Sequence, residues 1–298
     1  MSVVVTGSTG FLGAAAVRAL RRAGHCVVGI DRRPGPSDTT TLVADLLDDD
    51  PDVRDALREA DAVLHLAARA GVRDRDRDVQ RARQRDNVEA TARLLALVPR
   101  HRPLVVTSSS SVYGGTRGRP CRESDPLHPR GGYARSKVEV ERLCARRATA
   151  GGAIAVVRPF TVIGEGQRPD MALARWAEDA RAGRPLTVLG SLERTRDVTD
   201  VRVVSHMLVR LLERGTQLTV NIGAGRPQSL GRLVAAVARA VGERVEVRLA
   251  PADVAEPHDT HADTALLRHL LGAVPPTDLD DAVRRAVHEP ARPLALQP

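Results

Sequence analysis

A glycine-rich turn near the start of the chain places the strongest constraint on its fold. Residues 3–6, Val-Val-Val-Thr, form a short apolar run typical of a strand that is buried on both faces. Gly7, Gly10 and Gly13 follow in the spacing G-x-x-G-x-x-G, and a segment of helical period then runs to Gly24. The three glycines permit a tight strand-to-helix turn, close approach of the backbone to a pyrophosphate, and close packing of helix on strand. The turn therefore predicts a dinucleotide-binding α/β unit.

The end of the second strand indicates which dinucleotide is bound. Asp31 closes the apolar segment "CVVGID" at about the separation expected for an acid that binds the adenosine ribose. Because its carboxylate accepts from both ribose hydroxyls and repels a 2′-phosphate, Asp31 favours NAD over NADP. Arg32 and Arg33 are able to neutralise a 2′-phosphate, although an exposed arginine pair is common in so arginine-rich a chain. Asp45 ends a further strand, where it meets the adenine edge or caps a helix.

Strands and helices alternate through the rest of the N-terminal half. The expected elements are a strand at 60–71, a helix at 87–98, a strand at 103–115, a helix at 133–148 and a buried strand at 153–164. His65 lies inside the apolar part of the first of these strands, and we interpret it as a core histidine with satisfied hydrogen bonds rather than a catalytic one. The alternation predicts an α/β fold with a parallel sheet.

Beyond residue 164 the alternation loosens. Short strands at 186–190, 219–225 and 244–251, together with two helices, predict a smaller C-terminal lobe that is interleaved with the last part of the sheet. No internal repeat or low-complexity linker interrupts the chain. Residues 288–298 are expected to form a frayed tail.

The only lysine of the chain stands in the segment "GGYARSKVEVERL", residues 131–143. Because the other 44 of the 45 basic residues are arginine, we infer that Lys137 is kept for its ammonium on a flexible stem. Tyr133, one of two tyrosines, lies four residues earlier and on the same helix face. Four serines, 108–111, precede this helix at the carboxyl end of a strand, where open α/β sheets bind ligands. An amphipathic helix after a polar turn is the alternative explanation.

Charge and cysteine content exclude several classes of function. The net charge is +8, but arginine is mixed with acidic residues along the whole chain. The densest run, 72–86, alternates in sign and favours a solvated face or loop over a nucleic-acid site. Three widely separated cysteines argue against a disulfide framework or a zinc site and fit a reducing cytoplasm. We expect no metal, no nucleic-acid partner, no membrane span and no leader peptide.

Seven motifs together resemble one known family. They are, in order, "TGSTGFLG", "HLAARAGVR", "TSSSSVYG", "YARSK", "RPFTVIGEGQRPDMAL", "RTRDVTDV" and "NIGAGRPQSL". Their combination, which covers about the whole chain, resembles the extended short-chain dehydrogenase/reductases, specifically the NAD-dependent nucleotide-sugar 4-epimerases and most of all the UDP-glucuronate 4-epimerases. The resemblance implies a Rossmann doubly wound parallel sheet with helices on both faces and a smaller C-terminal substrate-binding lobe.

The resemblance also implies a division of the chain and an assembly. Residues 1–160 would form the NAD-binding domain with the catalytic residues, and 161–298 mainly the nucleotide-sugar-binding lobe, with 196–225 returning to the Rossmann sheet. The family commonly forms homodimers through a four-helix bundle, here the helices at 87–98 and 133–148. Their apolar positions beyond the needs of one sheet face include Leu94, Leu95, Val138 and Leu143.

Site roles carry over from the family by position. Ser109 resembles the active-site hydroxyl, Tyr133 the acid/base, and Lys137 the residue that lowers the tyrosine pKa and binds the nicotinamide ribose. The implied cofactor contacts are Gly7, Gly10, Phe11, Leu12, Gly13, Asp31, Arg32, Asp45, Leu46, Leu66, Ala67, Ala68, Tyr133, Lys137 and Pro159. The implied substrate contacts are Ser108, Ser109, Ser110, Thr161, Arg168, Met171 and Arg196.

The subfamily depends on a few of these positions. Ser110 and Ser111 stand where the family's dehydratases and decarboxylases carry acidic residues, which leaves epimerisation or ketone reduction. Thr161 and Arg168 are similar to residues that line the hexuronate pocket of UDP-glucuronate 4-epimerases, where a guanidinium suits a sugar carboxylate. The expected reaction is NAD-dependent epimerisation at C4, UDP-glucuronate to UDP-galacturonate, through a transient 4-keto intermediate.

Two departures and three alternatives accompany this prediction. Ile163 stands where the family often has tyrosine, and "PADVAEPHDTHAD" lacks the arginine that usually holds the diphosphate. Arg196 would then carry most of the diphosphate charge, assisted by His258 or His261. The alternatives are a UDP-glucose/UDP-galactose 4-epimerase, a deoxysugar 4-ketoreductase, and a non-catalytic NAD-binding regulator.

Overall fold

The computed structural model of the chain describes residues 1–71, 78–116, 118–253 and 256–289. Twelve strands and ten α-helices lie in these ranges. In chain order they are β1 (Ser2–Thr6), α1 (Phe11–Arg22), β2 (Cys26–Asp31), β3 (Thr41–Val43), α2 (Pro51–Glu59), β4 (Ala62–His65), α3 (Val79–Arg83), α4 (Ala90–Leu97), β5 (Leu104–Thr107), α5 (Gly131–Thr149), β6 (Ile154–Pro159), β7 (Thr161–Ile163), α6 (Ala172–Arg181), β8 (Leu186–Leu189), β9 (Thr195–Asp200), α7 (Val201–Arg214), β10 (Leu218–Ile222), β11 (Pro227–Ser229), α8 (Leu230–Val241), β12 (Val247–Ala250), α9 (Ala265–Leu271) and α10 (Leu279–His288). The part of the charge-rich run at 72–77 and the tail at 290–298 lie outside the described residues.

A seven-stranded sheet organises the N-terminal part of the chain. Its order is β10-β6-β5-β4-β1-β2-β3, and every neighbouring pair is parallel. The order 3-2-1-4-5-6 within it is that of a Rossmann fold, in which ligands bind beyond the carboxyl ends of the strands where the order reverses. β1 and β4 flank that reversal, with Val5 paired to both Gly29 and Leu64. The predicted fold class is confirmed.

Each face of this sheet is covered by its own layer of helices. The side chains of β1 alternate, so Val3 and Val5 pack against α1, α7 and α9, whereas Val4 packs against α2, α4 and α5. All three valines are almost completely buried, which explains why β1 reads as a continuous apolar run rather than an alternating one. The two layers hold α1 and α5, the helices that carry the glycine turn and the Tyr-Lys pair, on opposite faces of one sheet.

The C-terminal lobe has a core of its own. Strands β11, β9 and β7 form a three-stranded sheet, and β12 pairs with β8. Trp176 and other apolar residues of α6, α8 and α10 pack together with Val198 of β9. More helices follow residue 164 than the sequence predicts: α6, α8 and α10 build the lobe, whereas α7 and α9 pack against the main sheet.

One predicted strand is divided between the two parts of the molecule. The expected buried strand at 153–164 is wrong as a single element, because β6 ends at Pro159 and β7 pairs with β9 in the smaller sheet. The break falls at Phe160, whose amide donates to the Ile222 carbonyl and whose ring stacks on Tyr113. A buried aromatic residue at the junction thus turns the chain out of the main sheet.

The helix expected at 87–98 begins earlier than predicted. α3 starts at Val79 and continues through a π-helical turn, Gln84–Glu89, into α4. Leu94 is completely buried in the core of the chain, so its assignment to a dimer face is wrong. Leu95, Val138 and Leu143 are half-buried. The homodimer itself stays a prediction. Within the described ranges, none of the helices combines the length and apolarity needed to cross a membrane.

Candidate active site

The glycine turn between β1 and α1 is too crowded for larger residues. Gly7 has a positive φ of 69°, and a Cβ placed on it would lie 2.7 Å from the Ala67 nitrogen. A Cβ on Gly13 would overlap the Gly7 carbonyl, and one on Gly10 would lie 3.2 Å from the same oxygen. The backbone therefore folds tightly on itself and on the loop after β4, as a turn that brings its amides to a ligand must.

The N-terminus of α1 has the character of an anion site. Gly10 is its N-cap, and no side chain of the described residues caps it. Its first amides are therefore available to a ligand. The hydroxyls of Ser8 and Thr9 are buried beside this turn and find no hydrogen-bond partner within the described ranges. Phe11 and Leu12, in the first turn of α1, are half-buried. These residues fit the pyrophosphate of a dinucleotide.

Asp31 is held at the carboxyl end of β2. Its Oδ2 accepts from the Thr9 amide at 3.0 Å, and its Oδ1 accepts from the Arg33 amide at 3.2 Å. The Arg33 guanidinium lies 3.6 Å from the same carboxylate. Because the Thr9 amide belongs to the glycine turn, the Asp31 carboxylate lies next to the expected pyrophosphate position. A ribose hydroxyl of the dinucleotide is expected beside this carboxylate.

A cluster of alternating charges borders the expected adenosine position. Arg85 donates to Asp45 at 2.8 Å and to Asp86 at 2.7 Å, and the Arg32 guanidinium lies 3.5 Å from Asp86. Burial raises the pKa of Asp45, but hydrogen bonds from the Leu47 amide and Arg85 outweigh it and hold the pKa below its usual value. Asp45 and Arg32 are thus joined to one another through shared partners.

The remaining predicted cofactor residues belong to the core, to the end of β6 and to the loop after β4. Leu46 is a buried core residue, and Pro159 ends β6 opposite Ile222. Leu66, Ala67 and Ala68 form the half-buried loop after β4, in which the Ala67 amide donates to the Thr6 hydroxyl at 3.3 Å.

His65 is a structural residue, as the sequence predicts. It is buried, with Nδ1 at 2.7 Å from the Thr6 hydroxyl and Nε2 at 2.9 Å from the Thr91 hydroxyl. Burial, assisted by the charge of Lys137, lowers the pKa of His65 to about 3. The ring is therefore neutral at physiological pH and joins β1, β4 and α4.

Tyr133 and Ser109 come together although they lie on different elements. Ser109 follows β5 and caps the short 3₁₀ turn Ser110–Tyr113, its hydroxyl accepting from the Ser111 amide at 3.2 Å. The Tyr133 phenol, at the start of α5, lies near enough to the Ser109 side chain for hydrogen bonding with it to lower the Tyr133 pKa. Burial raises the pKa of Tyr133 above its usual value, and hydrogen bonding with Ser109 and the charges of Arg168 and Arg83 offset only part of that rise. This arrangement suits a proton acceptor whose charged form needs help from its surroundings.

Lys137 lies one turn further along α5. Its ammonium donates to the Thr107 carbonyl at 2.7 Å and lies 6.0 Å from the centre of the Tyr133 ring. The side chain is almost completely buried, and burial lowers its pKa to about 8. A second partner, such as a ribose hydroxyl, would satisfy donors that the Thr107 carbonyl leaves open.

The serines after β5 have different surroundings. The Ser108 hydroxyl is buried and donates to Glu141 at 2.5 Å, whereas Ser110 is half-buried in the 3₁₀ turn. The hydroxyls of Ser111 and Thr107 are buried without a hydrogen-bond partner among the described residues. Of this run, Ser109 is the residue whose hydrogen bonding acts on the Tyr133 pKa.

Arg168 lies near Tyr133 and is itself paired. Its charge acts on Tyr133, and its guanidinium binds the Asp170 carboxylate through two parallel hydrogen bonds of 2.8 Å. Thr161 is half-buried in β7, paired with Val198. Met171 is the N-cap residue of α6, and its amide donates to the Arg168 carbonyl. The loop from β7 to α6 thus brings a guanidinium that binds a carboxylate close to the Tyr133 phenol.

Arg196 faces the segment before α9. It donates to Glu256 at 3.0 Å and to the His258 carbonyl at 2.9 Å, so a buried carboxylate already balances its charge. His258 pairs with Asp259, and His261 lies 3.3 Å from the Gly225 carbonyl. The structure brings Arg196 to the His258 backbone, whereas the His258 and His261 rings have other partners.

The comparison with known families shows to which family the chain belongs. Residues 3–223 match the family described as "NAD dependent epimerase/dehydratase family". The chain belongs to that family. Its resemblance to the extended short-chain dehydrogenase/reductases is thereby confirmed, and so is NAD as the cofactor.

Three similar proteins illustrate the range of likeness. A UDP-glucose 4-epimerase of Mycolicibacterium smegmatis is 31% identical over 96% of this chain and 97% of its own. MoeE5, solved in complex with UDP-glucuronic acid and NAD, is 33% identical with a TM-score of 0.86, over 96% of this chain and 98% of its own. The UDP-glucuronic acid 4-epimerase of Bacillus cereus, also solved with UDP-glucuronic acid and NAD, is 28% identical with a TM-score of 0.87, over the same shares.

Sequence reasoning missed three residues of this epimerase site. Glu141 continues the helical spacing of Tyr133 and Lys137, and that four-residue step was a usable signal. Arg158 pairs with Glu141 from within β6. The apolar residues around Arg158 in that strand did not indicate an ion pair. Arg83 stood in an arginine-rich run that indicated solvent exposure, yet it is buried. None of the described residues form a cluster of acidic, histidine and cysteine side chains suited to a metal.

Proposed function

We propose that this protein is a UDP-glucuronate 4-epimerase, which interconverts UDP-glucuronate and UDP-galacturonate. The observation that carries the proposal is the position of Arg168. Its charge acts on the Tyr133 phenol, and its guanidinium already holds a carboxylate in a bidentate manner. In a hexuronate, C6 is attached to C5, the direct neighbour of C4. A cation beside the phenol that takes the C4 hydroxyl proton is therefore at the end of the sugar that carries the carboxylate.

The chemistry assigned to the chain's residues starts with Tyr133. As a phenolate it removes the proton of the sugar C4 hydroxyl, and Ser109, bonded to the phenol, holds the same oxygen. NAD, when bound, would supply the acceptor for the hydride of C4 and the donor that restores it on the opposite face of the sugar. Tyr133 then gives its proton back to the C4 oxygen. The cycle consumes neither cofactor nor proton. The 4-keto sugar exists only between the removal of hydride from C4 and its return.

The 4-keto form of a glucuronate raises a further demand. It is a β-keto acid, which tends to lose carbon dioxide when the breaking bond is aligned with the carbonyl. A bidentate arginine fixes the plane of a carboxylate more firmly than a single ammonium does. Arg168 is therefore suited both to select the substrate and to keep its carboxylate out of that alignment.

Asp170 supports a second candidate, a UDP-glucose 4-epimerase. Its carboxylate neutralises Arg168 in the structure, and a neutral C6 hydroxyl would be compatible with that pair. A related M. smegmatis protein carries that name. We favour glucuronate because the Asp170 side chain is 61% exposed. Breaking its ion pair with Arg168 therefore costs little free energy when a substrate carboxylate replaces it.

Direct assay of the purified protein tests the proposal. Incubation with UDP-glucuronate should yield UDP-galacturonate without added reductant, and denaturation should release NAD. Formation of UDP-galactose from UDP-glucose, with no turnover of the glucuronate, would establish the second candidate instead. Stoichiometric consumption of NADH by a 4-keto sugar would identify a ketoreductase, and the absence of turnover with bound NAD would indicate a regulator.

A further inference from the structure

Arg83 is a buried cation at the end of α3. Only 3% of it is exposed, in a chain whose arginines are mostly on the surface. Its Nη2 donates to the Gly71 carbonyl at 2.6 Å, at the end of the small-residue loop that follows β4. Burying a guanidinium is costly, and the position needs a physical reason. Neither the predicted cofactor contacts nor the predicted substrate contacts include it.

Two flanking contacts fix what Arg83 faces. Three residues before it, the Gln80 side chain lies so close to Gly132 that any Cβ there would overlap its amide. Four residues after it, the Asn87 side chain donates to the Ser136 hydroxyl at 2.9 Å. Arg83 therefore stands opposite the part of α5 between Gly132 and Ser136. That part begins with Tyr133.

The charges around the phenol come from three elements. Arg83 approaches from α3 and Arg168, with its partner Asp170, from the loop after β7; Lys137 lies on α5 itself. Burial lowers the pKa of Lys137 to about 8, so this ammonium loses its proton just above neutral pH. An arginine stays charged throughout that range. Arg168 has Asp170 as a counter-charge, and substrate binding would change its partner.

We propose that Arg83 is a positioning residue of the epimerase, whose permanent charge stabilises the Tyr133 phenolate without contacting the sugar. The inference rests on the proposed function only in taking Tyr133 as the proton acceptor. It adds a fixed cation to a site whose other two cations change with pH or with the substrate. The consequence is a phenol that ionises at lower pH than it would without Arg83.

Titration of the phenol tests this directly, because it needs no sugar. The chain has two tyrosines, and burial raises the pKa of Tyr113 to about 12. A Tyr113→Phe background leaves Tyr133 as the only tyrosine, and its ionisation is followed by the ultraviolet absorbance of tyrosinate. Arg83→Gln keeps a donor for the Gly71 carbonyl but removes the charge. The midpoint of Tyr133 should move to higher pH in this variant and return towards the parent value in Arg83→Lys.

Arg81→Gln is the matched control, since Arg81 is exposed on the same helix. It should leave the midpoint unchanged. In turnover, Arg83→Gln should lower kcat at pH 7 by about tenfold and recover at alkaline pH, with KM little altered. An unchanged Tyr133 midpoint in folded Arg83→Gln, or a loss of kcat that is equal at every pH, would overturn the inference. If instead Tyr133→Phe retained activity while the midpoint still moved, the proposed function would fail and the electrostatic coupling would stand.

Discussion

Arg158 and Glu141 form a bidentate ion pair between β6 and α5, the helix that carries Tyr133. Nε of Arg158 donates to Oε1 at 2.9 Å and Nη2 donates to Oε2 at 2.7 Å. Glu141 also accepts from the Ser108 hydroxyl, and Arg158 also donates to the Tyr113 hydroxyl at 2.7 Å. One pair thus ties α5 to β6 and to the serine turn, so the helix with Tyr133 cannot shift without breaking it.

Removal of one partner should be severely destabilising. In Glu141→Gln the Arg158 charge stays buried without a counter-ion, and we expect the free energy of unfolding to fall by about 3–5 kcal/mol. Urea unfolding measures the change. Glu139→Gln is the control on the same helix, because its ion pair with Arg142 is exposed and should contribute at most about 1 kcal/mol. Equal losses in the two variants would show that burial of the pair does not matter.

Tyr133→Phe should abolish turnover and leave NAD bound. The change removes the proton acceptor alone, and losses for such groups are about 10²- to 10⁴-fold in kcat. Tyr113→Phe is its counterpart, since the Tyr113 hydroxyl binds Arg158 and Asn221 in the core. It should cost stability but keep most of the activity. Near-native turnover in Tyr133→Phe would show that Tyr133 is not the proton acceptor and that the whole site is wrongly assigned.

The comparison of these residues shows what a sequence can and cannot reveal. The glycine turn, Asp31, Tyr133 and Lys137 were found because each depends on local spacing or on scarcity of a residue type. The buried partners Arg158, Glu141 and Arg83 depend on which strand and helix meet across the sheet, and that is set by tertiary packing. The break at Phe160 was missed for the same reason, because the apolar run continues through it while the pairing partner changes from β10 to β9.

Burial of Lys137 predicts a specific pH dependence of stability. Its pKa in the folded chain is about 8 against a usual value of 10.5, so the unfolded chain holds this proton more tightly. The contribution of Lys137 is least favourable below about pH 8 and improves as pH rises towards 10.5. Relative to Lys137→Met, the wild-type free energy of unfolding should therefore rise by about 2 kcal/mol between about pH 7 and about pH 9.5.

Arg135→Met serves as the reference for that measurement. Arg135 is exposed on the same helix and an arginine does not titrate in this range, so its difference from wild type should stay constant. A constant difference for Lys137→Met as well would mean that the lysine is solvated in the folded protein.

Asp31 should make the protein prefer NAD to NADP. Asp31, Asp45 and Asp86 surround the expected ribose position, and the guanidiniums of Arg32 and Arg33 already lie within 4 Å of these carboxylates. We expect apparent affinities to differ by at least about tenfold, or about 1.4 kcal/mol. Asp31→Ala should reduce the ratio of NAD affinity to NADP affinity. Asp38 is exposed on the next loop, and Asp38→Ala should leave that ratio unchanged. Equal wild-type affinities would mean that Arg32 and Arg33 bind a 2′-phosphate.

Under the proposed function, the preference for one sugar over the other depends on Arg168. It is best measured as the ratio of kcat/KM for UDP-glucuronate to kcat/KM for UDP-glucose. Arg168→Ala removes a charge from the phenol as well as from the pocket, and the first effect lowers turnover of every substrate alike. The second effect applies only to a C6 carboxylate. We expect kcat/KM for UDP-glucuronate to fall by a further 1.5–3 kcal/mol or so, the range for hydrogen bonds to a charged group, relative to UDP-glucose.

Asp170→Asn provides the opposite change. It removes the carboxylate that competes for Arg168, so the preference for UDP-glucuronate over UDP-glucose should increase. Arg184→Ala, an exposed arginine just after α6 that pairs with Asp179, is the control and should leave the ratio unaltered. If Arg168→Ala weakened both sugars equally and Asp170→Asn changed neither, Arg168 would serve the nucleotide or the phenol, because those are common to the two substrates. The basis for preferring glucuronate would then be gone.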